Sequence, residues 1–405
     1  MSEFLPRDVL IDILARLPIK CLVQCTTVCK SWGSLIKNPS FISAHLNRSA
    51  VMNNDNKLLL VRTISRDQNE EHYSLHLDNQ MFDEYAKFRF PLKSCANYYF
   101  RIIGSCNGVI CLSDDLFTIT NELYLWNPSI QKLMALPTVR VTFKSHGLFM
   151  QNIGFGFDPS TNDYKVIRIV YLNYVEIPPE VDIFTLSTGT WRNISHLGLS
   201  YIIDGRAPQA FLNEAAHWIA SDRRGDLHRR LIVSFHMGDE IFREIMLPDW
   251  INAVLSYPPR LRVAKFQESL SLIVELNERL DANNCYGVWV MKEYGVMSSW
   301  TQLYTIHKGL VFHSLVGFRK KGEVLLALRN GYLVSLDTVY HDAETKLLTK
   351  LEICGSIDSW YKDSFYADAY MESLILLGVK PPVFHGKKQK LMRKPRKGDE
   401  KQGRE

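Results

Sequence analysis

The chain has 405 residues, 46% hydrophobic and 22% charged, which is typical of an intracellular globular protein with room for one large domain beside a small one. Its formal charge of +5 is local: residues 386–405 carry nine Lys or Arg and three acidic residues, a net +6, so residues 1–385 carry −1 and are not a general nucleic-acid binder. We find neither a run of about 18 apolar residues nor a basic segment followed by an apolar stretch at the N-terminus, so we expect no membrane span and no secretory signal.

The first 45 residues predict a small helical domain. Apolar residues recur at helical spacing over residues 5–17, where Pro6 can open a helix and Pro18 must end it. A second apolar series over residues 22–36 ends before Asn38-Pro39, so we expect two or three short helices. A unit of this size cannot bury both stripes alone. It either keeps apolar surface for a partner or packs only on the rest of its own chain.

The residues at these positions resemble an F-box. The likeness lies in Leu5-Pro6, Ile13-Leu14-x-x-Leu17-Pro18, Leu22, Val28-Cys29-Lys30-Ser31-Trp32 and Pro39-x-Phe41. The resemblance implies that this domain binds a Skp-type adaptor, which holds a cullin and a RING protein in an SCF ubiquitin ligase. The implied adaptor contacts are Leu5, Pro6, Val9, Leu10, Ile13, Leu14, Leu17, Pro18 and Leu22, with Val28 and Trp32 holding the helices together and adding contact area.

Beyond residue 58 the pattern changes to short β-branched and aromatic runs separated by Gly, Asn, Asp and Pro, which indicates an all-β domain. The runs repeat as four-strand units of about 40 to 60 residues, which predicts a β-propeller. The complete units cover residues 100–137, 153–194, 208–248, 261–306 and 315–353. Strands at Leu58–Arg62, His72–Leu77 and Lys87–Leu92 would join Phe365–Tyr370 and Leu374–Leu377 in a sixth blade that closes the ring. We predict six blades, with seven as the alternative.

Several motifs of the predicted propeller resemble the F-box-associated domain of plant F-box/kelch proteins, a group that includes the S-locus F-box proteins. They are Ser105–Leu112, Leu125-Trp126-Asn127-Pro128-Ser129 with Leu136-Pro137, Gly154–Asp158, Asp163–Val166 and Trp191. The resemblance covers residues 55 to 380 and implies a kelch-like propeller that captures a protein substrate for ubiquitination. No unit carries the paired Gly-Gly of animal kelch repeats. The predicted architecture is a multidomain α+β chain, with an all-α F-box (1–45), a linker (46–57), an all-β propeller (58–380) and a disordered basic tail (381–405).

Loop lengths predict where substrate binds. Connections such as Cys106-Asn107-Gly108 are tight, whereas the second-to-third and blade-to-blade connections are long and should share one face, here called the rim. The rim is rich in aromatic residues and Arg, the composition of interface hot spots, although solvated loops also explain the arginines. We expect an acidic segment of a protein substrate to contact the loop over residues 223–230. The predicted substrate-binding residues are Tyr174, Tyr201, Arg206, Arg223, Arg224, Arg229, Arg230, Trp250, Tyr257, Trp360 and Tyr361.

The sequence lacks the motifs of common catalytic and metal sites. It contains no phosphate-binding loop, no nucleophile elbow and no His-Glu-x-x-His, and its eight cysteines show neither disulfide nor zinc spacing. We therefore expect no catalytic residue, metal or cofactor. An enzymatic propeller is one alternative, but the predicted inner strands carry Ile103, Phe155, Phe211, Val263 and Val316 instead of converging His, Asp or Glu. An adaptor-bound scaffold that ubiquitinates nothing is the other alternative.

The basic tail over residues 387–397 follows Pro381-Pro382 and contains almost no apolar residue. It is either a solubilising end or a nuclear import signal, so we expect a cytoplasmic protein with nuclear entry as the option. Because no aromatic residue is interleaved with the charges, nucleic-acid binding is not expected.

Overall fold

The structure, a computed structural model, describes residues 6–52, 58–65, 70–94, 99–115, 122–172, 178–205, 208–222, 229–253, 259–276, 285–307, 311–337, 348–357 and 364–379. Within these ranges no helix combines the length and the apolar character that a membrane crossing requires.

The N-terminal domain contains four helices, one more than the two or three we predicted. They are α1 (Arg7–Ala15), α2 (Ile19–Cys25), α3 (Lys30–Ile36) and α4 (Pro39–Met52). Pro6 and Pro18 each stand just before a helix in extended backbone, with φ −54° and −59°, the value to which the proline ring restricts φ. Pro39 begins α4 instead of ending the domain, since proline is tolerated in a first turn. The first part of the predicted linker over residues 46–57 is therefore helical.

Within the described residues the propeller contains 25 strands in six sheets. The first three strands are β1 (Leu58–Ile64), β2 (Glu71–Leu77) and β3 (Glu84–Phe88). Next come β4 (Arg101–Cys106), β5 (Val109–Ser113), β6 (Leu123–Asn127) and β7 (Lys132–Ala135), then β8 (Phe149–Asp158), β9 (Asp163–Leu172), β10 (Glu180–Thr185) and β11 (Thr190–Asn193). The following sheet contains β12 (Ile202–Ile203), β13 (Ala210–Leu212), β14 (Ala215–Asp222), β15 (Arg229–His236) and β16 (Ile241–Ile245).

The remaining strands complete the ring. They are β17 (Arg260–Phe266), β18 (Ser269–Leu276), β19 (Cys285–Met291) and β20 (Trp300–His307), then β21 (Phe312–Phe318), β22 (Val324–Leu328), β23 (Tyr332–Leu336), β24 (Leu348–Cys354) and β25 (Tyr366–Tyr370). Two short helices, α5 (Phe143–His146) and α6 (Asp249–Ala253), lie in connections between blades. Six blades are thus confirmed, and the alternative of seven is wrong.

The two ends of the chain share one blade, as predicted. Strand β25 pairs antiparallel with β1, so that Tyr370 lies opposite Leu58 and Tyr366 opposite Arg62. This pairing removes the open edges that an unclosed array would present. Residues 374–377, which we predicted as a strand, form none. They are irregular and buried against the helical domain, because a short apolar run is equally compatible with a strand and with a buried connection.

One blade departs from four strands. Both β12 and β13 pair with β14, so this sheet has five strands, and the additional strand β12 lies in the connection between the predicted units over residues 153–194 and 208–248. The strands in the middle of a blade are more buried than those at its edges. Strand β9 is buried along nearly its whole length, whereas outer strand β11 is mostly exposed and inner strand β17 is only partly buried.

An ion pair joins the closing blade to the blade before it. Arg319 Nε lies 2.8 Å from Asp78 Oδ1, both side chains are almost completely buried, and the backbone N–H of Lys320 donates to Asp78 Oδ2 at 2.8 Å. Removing one partner of a buried pair leaves the other charge uncompensated, which is strongly destabilising.

We expect Asp78→Ala to lower the free energy of unfolding by about 2 kcal/mol or more, since Glu323 at 3.4 Å retains only part of the pairing with Arg319. Chemical denaturation of the purified chain measures this change. Glu84→Ala is the control, because its ion pair with Lys87 is exposed and should leave the midpoint unchanged. Equal midpoints for both variants would contradict a stabilising role of the buried pair.

Candidate functional site: two protein-interaction faces

The outer face of the helical domain leaves apolar side chains in solvent. Val9 and Ile13, one turn apart on α1, are each 44% exposed, and Val28 is 65% exposed. Pro6 and Pro18, at the two ends of the first helix, are also exposed. Because the inner face of the same helices is already packed, these three side chains, here called the patch, remain in solvent within the described part of the chain, and exposed apolar side chains of this kind are typical of a docking site.

The predicted adaptor contacts divide into three groups. Pro6, Val9, Ile13, Pro18 and Val28 are exposed, whereas Leu10, Leu17 and Trp32 are half-buried. Leu14 and Leu22 are fully buried and pack into the chain's own core, so their side chains hold the helices in place and do not reach the outer face. Leu5 lies outside the described residues. Val28, which we expected to hold the helices together, faces solvent instead.

The helical domain packs on the tight-turn end of the propeller. Helix α2 contacts the 3-10 turn Pro128–Ile130 between β6 and β7, and Ser43 Oγ and Asn162 Oδ1, which lies in the β8–β9 turn, are 3.2 Å apart. Leu14 and Leu22 belong to the same apolar cluster as Leu125 of the propeller. In an antiparallel blade the first-to-second and third-to-fourth connections share one face. The second-to-third connections therefore lie on the opposite face, away from the helical domain.

Residues 371–379 lie between the propeller and the helical domain and are held by two of the motifs noted in the sequence. The buried side chain of Asn127 donates from Nδ2 to the backbone oxygens of Ser373 and Ile375, each at 2.9 Å. Gly108 has φ +79°, and a Cβ there would lie 2.3 Å from the backbone oxygen of Met371. These two motifs therefore hold the segment that follows the last strand, and they position it beneath the helices.

We expect Asn127→Ala to destabilise the chain by about 1 to 3 kcal/mol, because two buried backbone oxygens lose their donor. It should also increase cleavage of residues 371–379 in limited proteolysis, since the segment loses its attachment. Asn193→Ala is the matched control, because Asn193 is exposed on β11. Cleavage that rises equally in both variants would show that Asn127 does not hold the segment.

On the rim, Arg230 is engaged in internal contacts. Its Nη1 donates to the backbone oxygen of Pro259 at 2.5 Å, and its Nε lies 3.6 Å from Asp204 Oδ2. Its backbone N–H donates to Asn252 of α6. Burial lowers the pKa of the guanidinium, and the Asp204 carboxylate partly opposes this effect. Arg230 therefore fixes α6 against β15, so any contact with substrate would compete with these bonds.

Two other predicted rim residues meet at Glu244. The Tyr201 hydroxyl donates to its carboxylate, and Arg229 Nη2 lies 3.5 Å from Glu244 Oε2 while half of the Arg229 side chain remains exposed. Trp250 lies apart from them beside Trp289, with ring centroids 5.6 Å apart. The structure thus brings together Tyr201 and Arg229. Seven predicted rim residues lie outside the described part of the chain: Tyr174, Arg206, Arg223, Arg224, Tyr257, Trp360 and Tyr361.

The structure also shows a charged central cavity that sequence reasoning missed. Three of the residues that we placed on inner strands line this cavity: Phe211, Val263 and Val316. The other two, Ile103 and Phe155, are buried between blades. The charged side chains of this lining are Arg62, Arg101, Arg262, Lys265, Glu268 and Asp368. The sequence feature that could have indicated this cavity is Arg62, a charged residue within the largely apolar strand β1. Among the described residues, no group of three or more His, Cys, Asp or Glu is placed to hold a metal.

Comparison with known proteins matches residues 3–43 to the F-box domain family and residues 49–373 to the F-box associated beta propeller domain family. Similar curated proteins of Arabidopsis thaliana include F-box protein CPR1, which is 28% identical over 398 residues that cover 92% of this chain and 89% of that protein. F-box protein At3g07870 is 30% identical and covers 75% and 73%, and F-box/kelch-repeat protein At3g23880 is 26% identical and covers 75% and 79%.

Proposed function

Since the chain belongs to the plant F-box proteins that carry an F-box-associated β-propeller, we propose that it is the substrate-recognition subunit of an SCF ubiquitin ligase. The observation that carries this proposal is the exposed apolar patch of Val9, Ile13 and Val28 on an F-box whose inner face is already filled. Membership of the family confirms the resemblance predicted from the motifs. The F-box implies binding of a Skp-type adaptor, through which cullin and RING protein would join.

The placement of the two domains supports a receptor role. The F-box covers the tight-turn end of the blades, so the rim faces away from it and is free for a second protein. Such a chain needs no catalytic residue of its own, because ubiquitin transfer is carried out by other subunits. We propose that it captures a protein substrate on the rim, near Tyr201 and Arg229, and presents it for ubiquitination and proteasomal degradation.

We propose a cytoplasmic location, with nuclear entry directed by the basic tail over residues 387–397. Fluorescence microscopy of the tagged full chain with the tail lysines and arginines changed to Gln tests the second part. An unchanged nuclear fraction would refute a signal in the tail.

We expect the double variant Val9→Glu, Ile13→Glu to lose adaptor binding and remain folded, because both side chains are in solvent on α1. Losing interface anchors costs roughly 2 kcal/mol or more each, equivalent to about 30-fold weaker binding per anchor. Calorimetry with the purified Skp-type adaptor measures this change.

Met81→Glu is the control for that experiment, because Met81 is 78% exposed on the propeller and the variant carries the same kind of change at another site. Its affinity should equal that of the unchanged chain. If Val9→Glu, Ile13→Glu still binds the adaptor normally, the patch is not the adaptor site.

The same double variant is also the better tool for finding substrate. Deleting residues 1–45 would expose the propeller residues that pack on Leu14 and Leu22, and the exposed surface would attract unrelated proteins. The full chain with Val9→Glu, Ile13→Glu keeps this core covered. In cells it should retain substrates without degrading them, so quantitative proteomics should show the captured proteins accumulating relative to cells that express the unchanged chain.

Adding Arg229→Glu and Tyr201→Ala to this trap should abolish capture, because both residues lie on the rim. The matched control is Arg192→Glu, an exposed charge reversal on outer strand β11. Proteins captured equally by the original trap, the trap with the two rim changes and the trap with Arg192→Glu do not bind the rim. If the captured set does not change with the rim variant but is lost with Arg192→Glu, substrate binds elsewhere on the propeller.

A further inference from the structure

A cavity of about 400 Å³ lies on the axis of the propeller, a volume in the range of small-molecule binding sites. The innermost strands β4, β13, β17, β21 and β25 form its wall, and Arg62 of β1 also lines it. A central channel is general for propellers, so the feature that distinguishes this one is the set of charged side chains around it.

The wall of the cavity combines apolar and cationic surface. Phe211, Val263, Val316 and Phe318 provide side chains against which an apolar body can pack. Four cationic side chains, those of Arg62, Arg101, Arg262 and Lys265, line the same space. This combination of apolar side chains with cationic groups is suited to a ligand that has one acidic group and an apolar remainder.

Three of the four cations are engaged within the protein. Arg101 pairs with Asp115 through two contacts, Nε to Oδ1 at 2.9 Å and Nη2 to Oδ2 at 2.5 Å. Lys265 Nζ lies 3.0 Å from Glu268 Oε2. Arg262 Nη2 donates to the backbone oxygen of Leu315 at 2.7 Å. These three charges are therefore accounted for without a ligand.

Arg62 differs from the other three cations. Its residue is 1% exposed, and within the described part of the chain neither Nε nor Nη1 has a hydrogen-bond partner. The centroid of the Tyr99 ring lies 5.0 Å from Cζ, and the Arg62 charge also interacts with the Glu71 carboxylate, without a hydrogen bond from Nε or Nη1. A buried guanidinium whose N–H groups lack acceptors is costly, since desolvation removes their hydration and no hydrogen bond replaces it.

The nearby carboxylates already have other donors. Glu71 Oε1 accepts from the Tyr73 hydroxyl at 2.9 Å and from the backbone N–H of Phe100 at 3.2 Å. Burial raises the pKa of the Glu71 carboxyl to about 7 although the Arg62 charge opposes this rise, so Glu71 offsets the Arg62 charge only in part at neutral pH. Asp368 Oδ2 accepts from the hydroxyls of Ser105 and Tyr366, both at 3.0 Å.

We propose that the central cavity binds a small organic anion, whose carboxylate or phosphate group pairs with Arg62 and whose apolar body packs against Phe211 and Phe318. This ligand site is distinct from the adaptor patch on the F-box and from the rim. It goes beyond the proposed receptor function, because it gives the propeller a small-molecule ligand in addition to a protein substrate. The test below does not require the adaptor or substrate, so its failure leaves the receptor proposal intact.

The probe is anilinonaphthalene sulfonate, a fluorescent aromatic anion, titrated into the purified full chain. We expect one site, and about tenfold or more weaker binding to Arg62→Gln, which removes the charge while keeping a side chain of similar polarity. Arg62→Lys should retain most of the affinity because it keeps the charge. Arg89→Gln is the control for removal of an exposed arginine and should bind as the unchanged chain does.

A second measurement uses the unchanged chain alone, so it tests the proposal even in the case that Arg62→Gln does not fold. N-phenylnaphthylamine, which has the same aromatic body without the acid, should bind the unchanged chain about tenfold or more weakly than the sulfonate. Equal affinity for the neutral and the anionic probe, or equal affinity of Arg62→Gln and the unchanged chain for the sulfonate, would overturn the proposal. Displacement of the sulfonate by an equal concentration of inorganic phosphate would overturn the assignment of an organic ligand.

Discussion

The shared core of the F-box and the propeller is the constraint on which the functional arrangement depends. Leu14, Leu22 and Ile36 of the helices pack in one cluster with Leu125 of the propeller and Leu376 of the segment after the last strand. Burial of such side chains stabilises by roughly 1.5 to 3 kcal/mol each, so the two domains have little reason to separate. The position of the rim relative to the F-box is consequently set by packing and not by a flexible linker.

This core also explains why the outer face of the F-box is available. A small helical unit has more apolar surface than it can cover alone, and the propeller covers the inner half. The outer half, with Val9, Ile13 and Val28, stays in solvent. The domain thus resolves the two alternatives that its sequence left open: it packs on its own chain and also keeps apolar surface for a partner.

Ring closure and buried charge are linked in this propeller. The closing blade is made from both ends of the chain, and Arg319 with Asp78 secures it to its neighbour. Arg62 lies on the same blade, in the strand that pairs with β25, but within the described residues no carboxylate accepts a hydrogen bond from its Nε or Nη1. Since a buried charge is tolerated when it is paired, the two arginines differ in what they contribute: Arg319 to stability, and Arg62 to the proposed ligand site.

The sequence alone determined the features that depend on local chemistry. Proline positions and apolar periodicity predicted the first helices, alternation and turn residues predicted the blades, and motif residues such as Asn127 and Gly108 predicted the family. Features that require distant segments to meet needed the tertiary structure, because spacing along the chain does not report on contacts across it. Leu14 looks like Ile13 in a periodic pattern, yet one is buried in the shared core and the other exposed, because α4 packs against one side of α1. Arg62 likewise looks like one charge in an apolar strand, and only the meeting of five inner strands placed it beside a cavity, with Nε and Nη1 unbonded within the described residues.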